Sequence, residues 1–157
     1  MRFRFAPNRL HNGAMRDTGS DQQVSALFDA ARAVRERAHA PYSRFRVGAA
    51  LIDEAGAVHV GCNVENAAYP EGVCAETAAI AAMVAAGGRR IRAIAVIGSG
   101  PSMTTPCGGC RQRIREFADA DTRIHLHDPA TDTRHSLSLE ELLPLAFGPS
   151  NLKDEIR

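Results

Sequence analysis

The chain has 157 residues, 45% of them hydrophobic and 24% charged, with 19 basic side chains against 18 acidic ones. That length suits one domain with its own core, needing neither disulfide nor metal to hold it. A net charge of +1 argues against a surface built to neutralise phosphates, and six phenylalanines, two tyrosines and no tryptophan leave little on which to stack bases, so no nucleic-acid partner is expected.

The first twenty residues, MRFRFAPNRLHNGAMRDTGS, start basic but lack the apolar stretch of a secretory signal. They read as an extension, with Met15 a candidate alternative start, before a domain at 21–152 and a short tail at 153–157. No run is apolar enough to span a bilayer. A cytoplasmic location is therefore expected, with no membrane partner and with thiols kept reduced.

From Ser20 to His39, Val24, Leu27, Phe28, Ala31 and Val34 recur at three- and four-residue steps, which predicts an amphipathic helix. Ser20 or Asp21 is its expected cap, and Pro41 bars its continuation. FRVGAALIDEAGAVHVGCNVENA holds two apolar runs around DEAG and predicts a β-hairpin. Gly48, Ala49 and Ala50 leave room there for a close neighbour. CAETAAIAAMVAAG predicts a helix that stops at Gly87-Gly88. IRAIAVIG predicts a strand buried on both faces. CGGCRQRIREFAD predicts a second helix with a tight glycine entrance. TRIHLHD predicts a strand on which His125 and His127 alternate with Ile124 and Leu126, so the histidines are expected to face solvent. SLEELLPLAF predicts a last short helix, interrupted at Pro144. A strand, helix and strand in succession imply a parallel pair beside the antiparallel hairpin. The expected class is α/β, a mixed sheet with helices on its faces.

Four cysteines, Cys62, Cys74, Cys107 and Cys110, permit two disulfides, but a reducing compartment and the CGGC spacing favour metal or redox chemistry. Cys107 and Cys110 can turn both sulfurs toward one point, half of a tetrahedral zinc site. Cys74, opening the other helix, supplies a third sulfur. Three thiolates on Zn²⁺ leave an excess negative charge, and two helix N-termini stabilise it. Three protein ligands leave an open position for chemistry, whereas four close the site. Cys62 is the deciding residue, either a fourth ligand or a small apolar filler on a strand; we take it as filler. Glu76 lies two residues after Cys74, close enough to act on the open position without ligating. Thiolates neutralise more zinc charge than imidazoles do, so a nearby base is needed.

CAE followed by PCGGC also fits the general zinc-deaminase signature, with Cys in place of His. Together with YSRFRVGAAL, GCNVENAAYPEGVCAE, TPCGGCRQ and LLPLAFGPSNL, it resembles the small homotetrameric cytidine deaminases from about Val24 to Leu152. The resemblance implies a three-layer α/β/α fold with a mixed sheet of about five strands. It implies one Zn²⁺ per subunit, held by Cys74, Cys107 and Cys110. Glu76 would take a proton from the attacking water, deliver it to pyrimidine N3 and help the amino group leave as ammonia. Asn63 and Glu65 would grip the ribose hydroxyls, the Ala75 backbone would bond the base, and Phe45 would pack on its face. Tyr69 and Phe147 would enter a neighbouring subunit's site, so the active site would be shared within a homotetramer. The substrate would be a pyrimidine nucleoside, cytidine or 2′-deoxycytidine.

One position departs from that pattern. Many family members carry an arginine where this chain has Thr77, and that arginine is held to bond two ligand thiolates. We expect helix dipoles, backbone N–H groups, or Arg111 or Arg113 to take its place. Two other function classes remain: a non-catalytic binding module stapled by zinc through all four cysteines, and a deaminase of modified cytosine nucleosides, which NVEN disfavours.

Overall fold

The segments AALI at 49–52 and IAVI at 94–97 are apolar at every residue, so both faces of each strand must be covered. In the computed structural model, which describes residues 18–152, they are. The elements in chain order are α1 (Thr18–Arg35), β1 (Val47–Asp53), β2 (Val58–Cys62), α2 (Ala75–Ala85), β3 (Ile91–Gly98), α3 (Gly108–Phe117), β4 (Arg123–Asp128), β5 (Thr133–Ser138) and α4 (Leu139–Leu142), with short 3₁₀ turns at Tyr69–Glu71 and Pro149–Leu152. The extension at 1–17, with Met15, and the tail at 153–157 lie outside the described residues.

The sheet order is β2-β1-β3-β4-β5. β1 is antiparallel to both β2 and β3, β3 runs parallel to β4 across α3, and β5 returns antiparallel to β4. Side-chain alternation then sorts the core into two layers. Ala50, Ile52, Ala95 and Ile97 meet Leu27, Phe28 and Ala31 of α1. On the other face, Ala49, Leu51, Ile94, Val96, Ile124 and Leu126 meet Ala79, Ile80 and Met83 of α2 and Ile114 of α3. The arrangement is the expected three-layer α/β/α fold.

Close helix-to-sheet approach depends on two glycines. A Cβ on Gly48 would lie 2.0 Å from the Ala31 carbonyl oxygen, and one on Gly61 2.3 Å from the Ala79 nitrogen. Gly48 thus seats α1 on β1, and Gly61 seats α2 on β2. α2 ends as expected: the Gly88 N–H donates to the Met83 carbonyl at 3.0 Å and the Gly87 N–H to that of Val84 at 3.1 Å.

Four expectations need correction. α1 begins at Thr18, so Ser20 and Asp21 lie within it and not at its N-cap. α4 is a single turn ending before Leu143, because the approach to Pro144 pushes the backbone out of the helical region. β5 was not foreseen: TRHSLS has one apolar residue and is half-exposed, so backbone pairing with β4 defines it rather than any apolar alternation. His125 and His127 do not face solvent. They lie on the α1 side of β4, where the Phe28 ring sits edge-on to His127 at 6.3 Å and Arg134 lies 5.0 Å over Phe28. His125 is only 8% exposed. α1 and Arg134 cover a face that pattern alone assigned to water.

Candidate active site

Cys74 is the N-cap of α2 and Cys107 the N-cap of α3, both in extended conformation with no oxygen-bearing cap side chain in their place. Cys110 follows one turn into α3 and is fully buried. The Cys74, Cys107 and Cys110 sulfurs all lie within 4.8 Å of one another. Sulfurs around a tetrahedral zinc stand about 3.8 Å apart, from a Zn–S bond of ~2.3 Å, so a small contraction closes the set. Cys62, half-buried at the end of β2 and paired with Gly48, does not join it. The donor set, three thiols with one side left open, fits a three-thiolate zinc centre.

Electrostatics separate the three thiols. Burial pushes Cys74 and, much further, Cys110 up; Glu76 and the other sulfurs add to the rise at Cys110, whereas at Cys74 the Cys110 contact opposes it and Cys107 and Glu76 add to it. Cys107 is pulled down, chiefly by the backbone N–H of Cys110, which faces its sulfur without completing a cap hydrogen bond. Without a cation, burial and mutual repulsion thus oppose ionisation of Cys74 and Cys110. A divalent ion removes that obstacle by supplying the missing positive charge.

Glu76, 4% exposed, lies beside Cys110 in the first turn of α2. Burial raises its carboxyl above the ordinary range, against the pull of its own backbone N–H, of Cys110 and of the Arg113 guanidinium. It lines an inner cavity of about 170 Å³ with Phe45, Asn63, Cys74, Ala75 and Cys107. An outer cavity of about 530 Å³ adjoins it, sharing Asn63 and Cys74 and walled by Ser43, Glu65 and Tyr69.

The NVEN segment is strapped between two elements. The Glu65 N–H donates to the His39 carbonyl at 2.8 Å, the His39 N–H to that of Asn63 at 3.1 Å, and Val64 bonds Val73 in both directions at 2.9 Å. The Asn63 carboxamide accepts from the Val47 N–H at 2.7 Å and donates to the Phe45 carbonyl at 2.9 Å. The Glu65 carboxylate accepts from the Tyr42 N–H at 2.8 Å, the Ser43 N–H at 3.2 Å and the Ser43 hydroxyl. Those bonds, the hydroxyl first, hold it below the usual carboxylate range. Both side chains thus organise the 42–47 segment while facing the cavities, and each keeps spare acceptor capacity.

Phe45 is 40% exposed and its ring lies against Gly98 and Gly100. Tyr69 is 75% exposed, edge-on to Tyr42 at 6.2 Å, and Phe147 is 58% exposed beyond α4. Of the sequence-expected set, Phe45, Asn63, Cys74, Ala75, Glu76 and Cys107 line the inner cavity, Glu65 and Tyr69 the outer one, and Phe147 stands apart in this single chain. Reasoning from sequence missed Thr104 and Thr105, which complete the inner wall, and Ser43, which fixes Glu65. The position of TT immediately before PCGGC was the available signal.

Arg111 does not serve the thiolates. It donates to the Pro106 carbonyl and the Leu142 carbonyl, each at 2.8 Å, and reaches the Thr105 hydroxyl at 3.4 Å. It ties the cysteine loop to α4 instead, which corrects that half of the expectation.

Residues 21–126 match the family model described as the cytidine and deoxycytidylate deaminase zinc-binding region. The chain belongs to the cytidine deaminase family. A cytidine deaminase of Halalkalibacterium halodurans is 41% identical over 134 residues, covering 85% of this chain and 99% of the relative. Another, from Sporosarcina psychrophila, is 39% identical over 82% of this chain and 94% of its own length. The crystal structure of the cytidine deaminase from Burkholderia pseudomallei is similar with a TM-score of 0.73 and 44% identity, covering 78% of this chain and 98% of that one. The three-cysteine cluster fits the one zinc per subunit of this zinc-binding family.

Proposed function

We propose that the protein hydrolytically deaminates cytidine and 2′-deoxycytidine to uridine and 2′-deoxyuridine, releasing ammonia, as a step of pyrimidine salvage. One observation carries this: a buried carboxyl, Glu76, stands beside three convergent sulfurs in a cavity that Phe45 and Asn63 also line. When bound, zinc supplies the Lewis acidity that makes a water nucleophilic near neutral pH. Glu76 takes a proton from that water as its oxygen adds to C4 of the ring, and passes the proton to N3. It then carries the second proton to the amino nitrogen, and ammonia leaves as the C4 carbonyl forms. Raised by burial, its carboxyl is suited to both accepting and releasing that proton.

The Ala75 N–H, at the first position of α2, has no partner within the helix and is offered to the base. Phe45 packs on the ring, and Asn63 and Glu65 take the ribose hydroxyls through their spare acceptor sites. This last pair selects a nucleoside over the free base. Tyr69, Phe147 and the fully exposed Leu145 are apolar surface that one chain leaves uncovered. In our reading they close a neighbour's site within a homotetramer. Among the described residues no helix is long and apolar enough to cross a membrane. Four free thiols suit a reducing compartment such as the cytoplasm. The separate position of Cys62 speaks against a four-cysteine structural module.

Offering cytidine, 2′-deoxycytidine and cytosine separately to zinc-quantified protein, and following the loss of ultraviolet absorbance, tests the proposal. Both nucleosides should turn over and cytosine should not. Turnover of none by fully zinc-loaded oligomer would sink it.

A further inference from the structure

Cys110 is the most enclosed of the three sulfurs, and its neighbours are Glu76, Cys74 and Cys107, all able to carry negative charge. Three thiolates on a zinc dication leave one excess negative charge in a buried place, and the N-termini of α2 and α3 offset only part of it. None of the three arginines of α3 is hydrogen-bonded to this sulfur, Arg115 donating instead to the Ala118 carbonyl. Arg111 is committed to two carbonyls and a threonine hydroxyl. Arg113 acts on Glu76 through its charge, and no hydrogen bond of its side chain is found among the described residues.

The group that does reach it is Thr77, whose Oγ1 lies 3.9 Å from Cys110 Sγ. Thr77 is the third residue of α2, where a threonine hydroxyl would ordinarily turn back to a preceding carbonyl. Here no hydrogen bond runs from the hydroxyl to the Val73 or Cys74 carbonyl, and among the described residues its one side-chain partner is the Cys110 sulfur. A thiolate has no proton to give, so once the metal is bound the direction of the bond is set: oxygen donates, sulfur accepts.

We propose that Thr77 is a positioning residue of the zinc centre, its hydroxyl donating to the Cys110 thiolate. The bond draws electron density from the most buried ligand, and so governs both how tightly zinc is held and how much charge that sulfur passes to it. A neutral donor does this without placing a second cation beside the metal. The inference rests on the three-cysteine zinc assignment, which the zinc content of the unaltered protein checks separately.

The test compares Thr77→Val, which keeps the shape and removes the hydroxyl, with Thr77→Ser, which keeps the hydroxyl. Two readouts are taken: zinc transfer to a competing chelator, and the sulfur-to-metal charge-transfer band of the cobalt-substituted proteins. Thr77→Val should hold zinc about tenfold more weakly, as loss of a ligand's outer partner commonly does. Its cobalt band should move to longer wavelength, because an unbonded thiolate is the better electron donor, while Thr77→Ser keeps both properties. Thr77→Ala, with its high helix propensity, gives the same comparison should valine disturb the first turn. Unchanged affinity and band in the hydroxyl-free variants would overturn the proposal, as would Thr77→Ser behaving like Thr77→Val.

Discussion

Cys74 and Cys107 hold the same position on two different helices: each is an N-cap, and each turns its sulfur into one cluster within 4.8 Å. The metal centre is therefore a junction of two helix starts. α2 rests on β2 and β1 and α3 on the parallel β3–β4 pair, so the sheet sets the distance between them.

That junction predicts how the zinc-free protein reacts. Cys107 is exposed and its thiol is pulled down, whereas Cys110 is buried and pushed up. After chelation, iodoacetamide should label Cys107 well before Cys110, and added zinc should protect both. Mass spectrometry of a labelling time course checks this; equal rates at the two sites would refute it. Neither apolar layer includes a cysteine, so far-ultraviolet circular dichroism should be largely retained.

Glu76→Gln should keep zinc and the oligomer but lose at least ~10²-fold in kcat, the lower range for a group that moves protons in the rate-limiting steps. Metal content and turnover are measured on the same preparation. Near-normal turnover would remove Glu76 from its assigned role.

Asn63→Ala removes an acceptor from the Val47 N–H and a donor to the Phe45 carbonyl. Two hydrogen bonds of this kind are worth about 2 kcal/mol together. The melting temperature should fall, and KM for cytidine should rise more than kcat falls, since Phe45 loses its anchor along with the ribose contact. A rise in KM with unchanged stability would mean that the amide serves substrate alone.

His125 predicts an acid-dependent loss of stability. Burial, reinforced by the positive charge of Arg123, lowers its pKa to about 4. The unfolded chain binds that proton near the ordinary value of ~6.5, so the contribution is complete above that pH and declines as pH falls toward 4. The loss approaches about 3 kcal/mol. Urea unfolding at neutral pH and near pH 4.5 should show a smaller difference for His125→Gln than for the unaltered chain; identical pH dependence would contradict the assignment.

Gly61→Ala places a methyl group 2.3 Å from the Ala79 nitrogen and 2.4 Å from the Ala75 carbonyl oxygen. Both are backbone atoms, so α2 must move away from β2, at a cost of about 3 kcal/mol. Since Cys74 and Glu76 ride on that helix, zinc content and kcat should fall with the melting temperature. Full zinc occupancy in a destabilised variant would show that the helix start is held independently of β2.

Much of this site was legible in the chain. Cys107 and Cys110 lie three apart, so one helix turn brings them together wherever the rest of the chain goes, and Glu76 follows Cys74 within the first turn of the same helix. The hairpin announced itself through apolar runs around a turn, the alanine-rich helix through helix propensity and its Gly87-Gly88 stop, and β3 through an almost unbroken apolar run. β5 did not, since its partner strand rather than its side chains makes it a strand.

The side chains whose surroundings come from distant elements were the ones misread or left unexplained. His125 looked solvated by alternation and is buried because α1, about a hundred residues earlier, lies across it. Arg111 looked like a partner for thiolates and instead binds carbonyls of Pro106 and Leu142, a choice made by where α4 docks. Thr77 looked like an unexplained substitution until α2 and α3 met and set its hydroxyl against Cys110. Sequence by itself determined which residues are candidates for the chemistry and on which helix starts they ride. The tertiary structure alone decided what touches them, because burial and hydrogen-bond partners belong to the packing of separate elements.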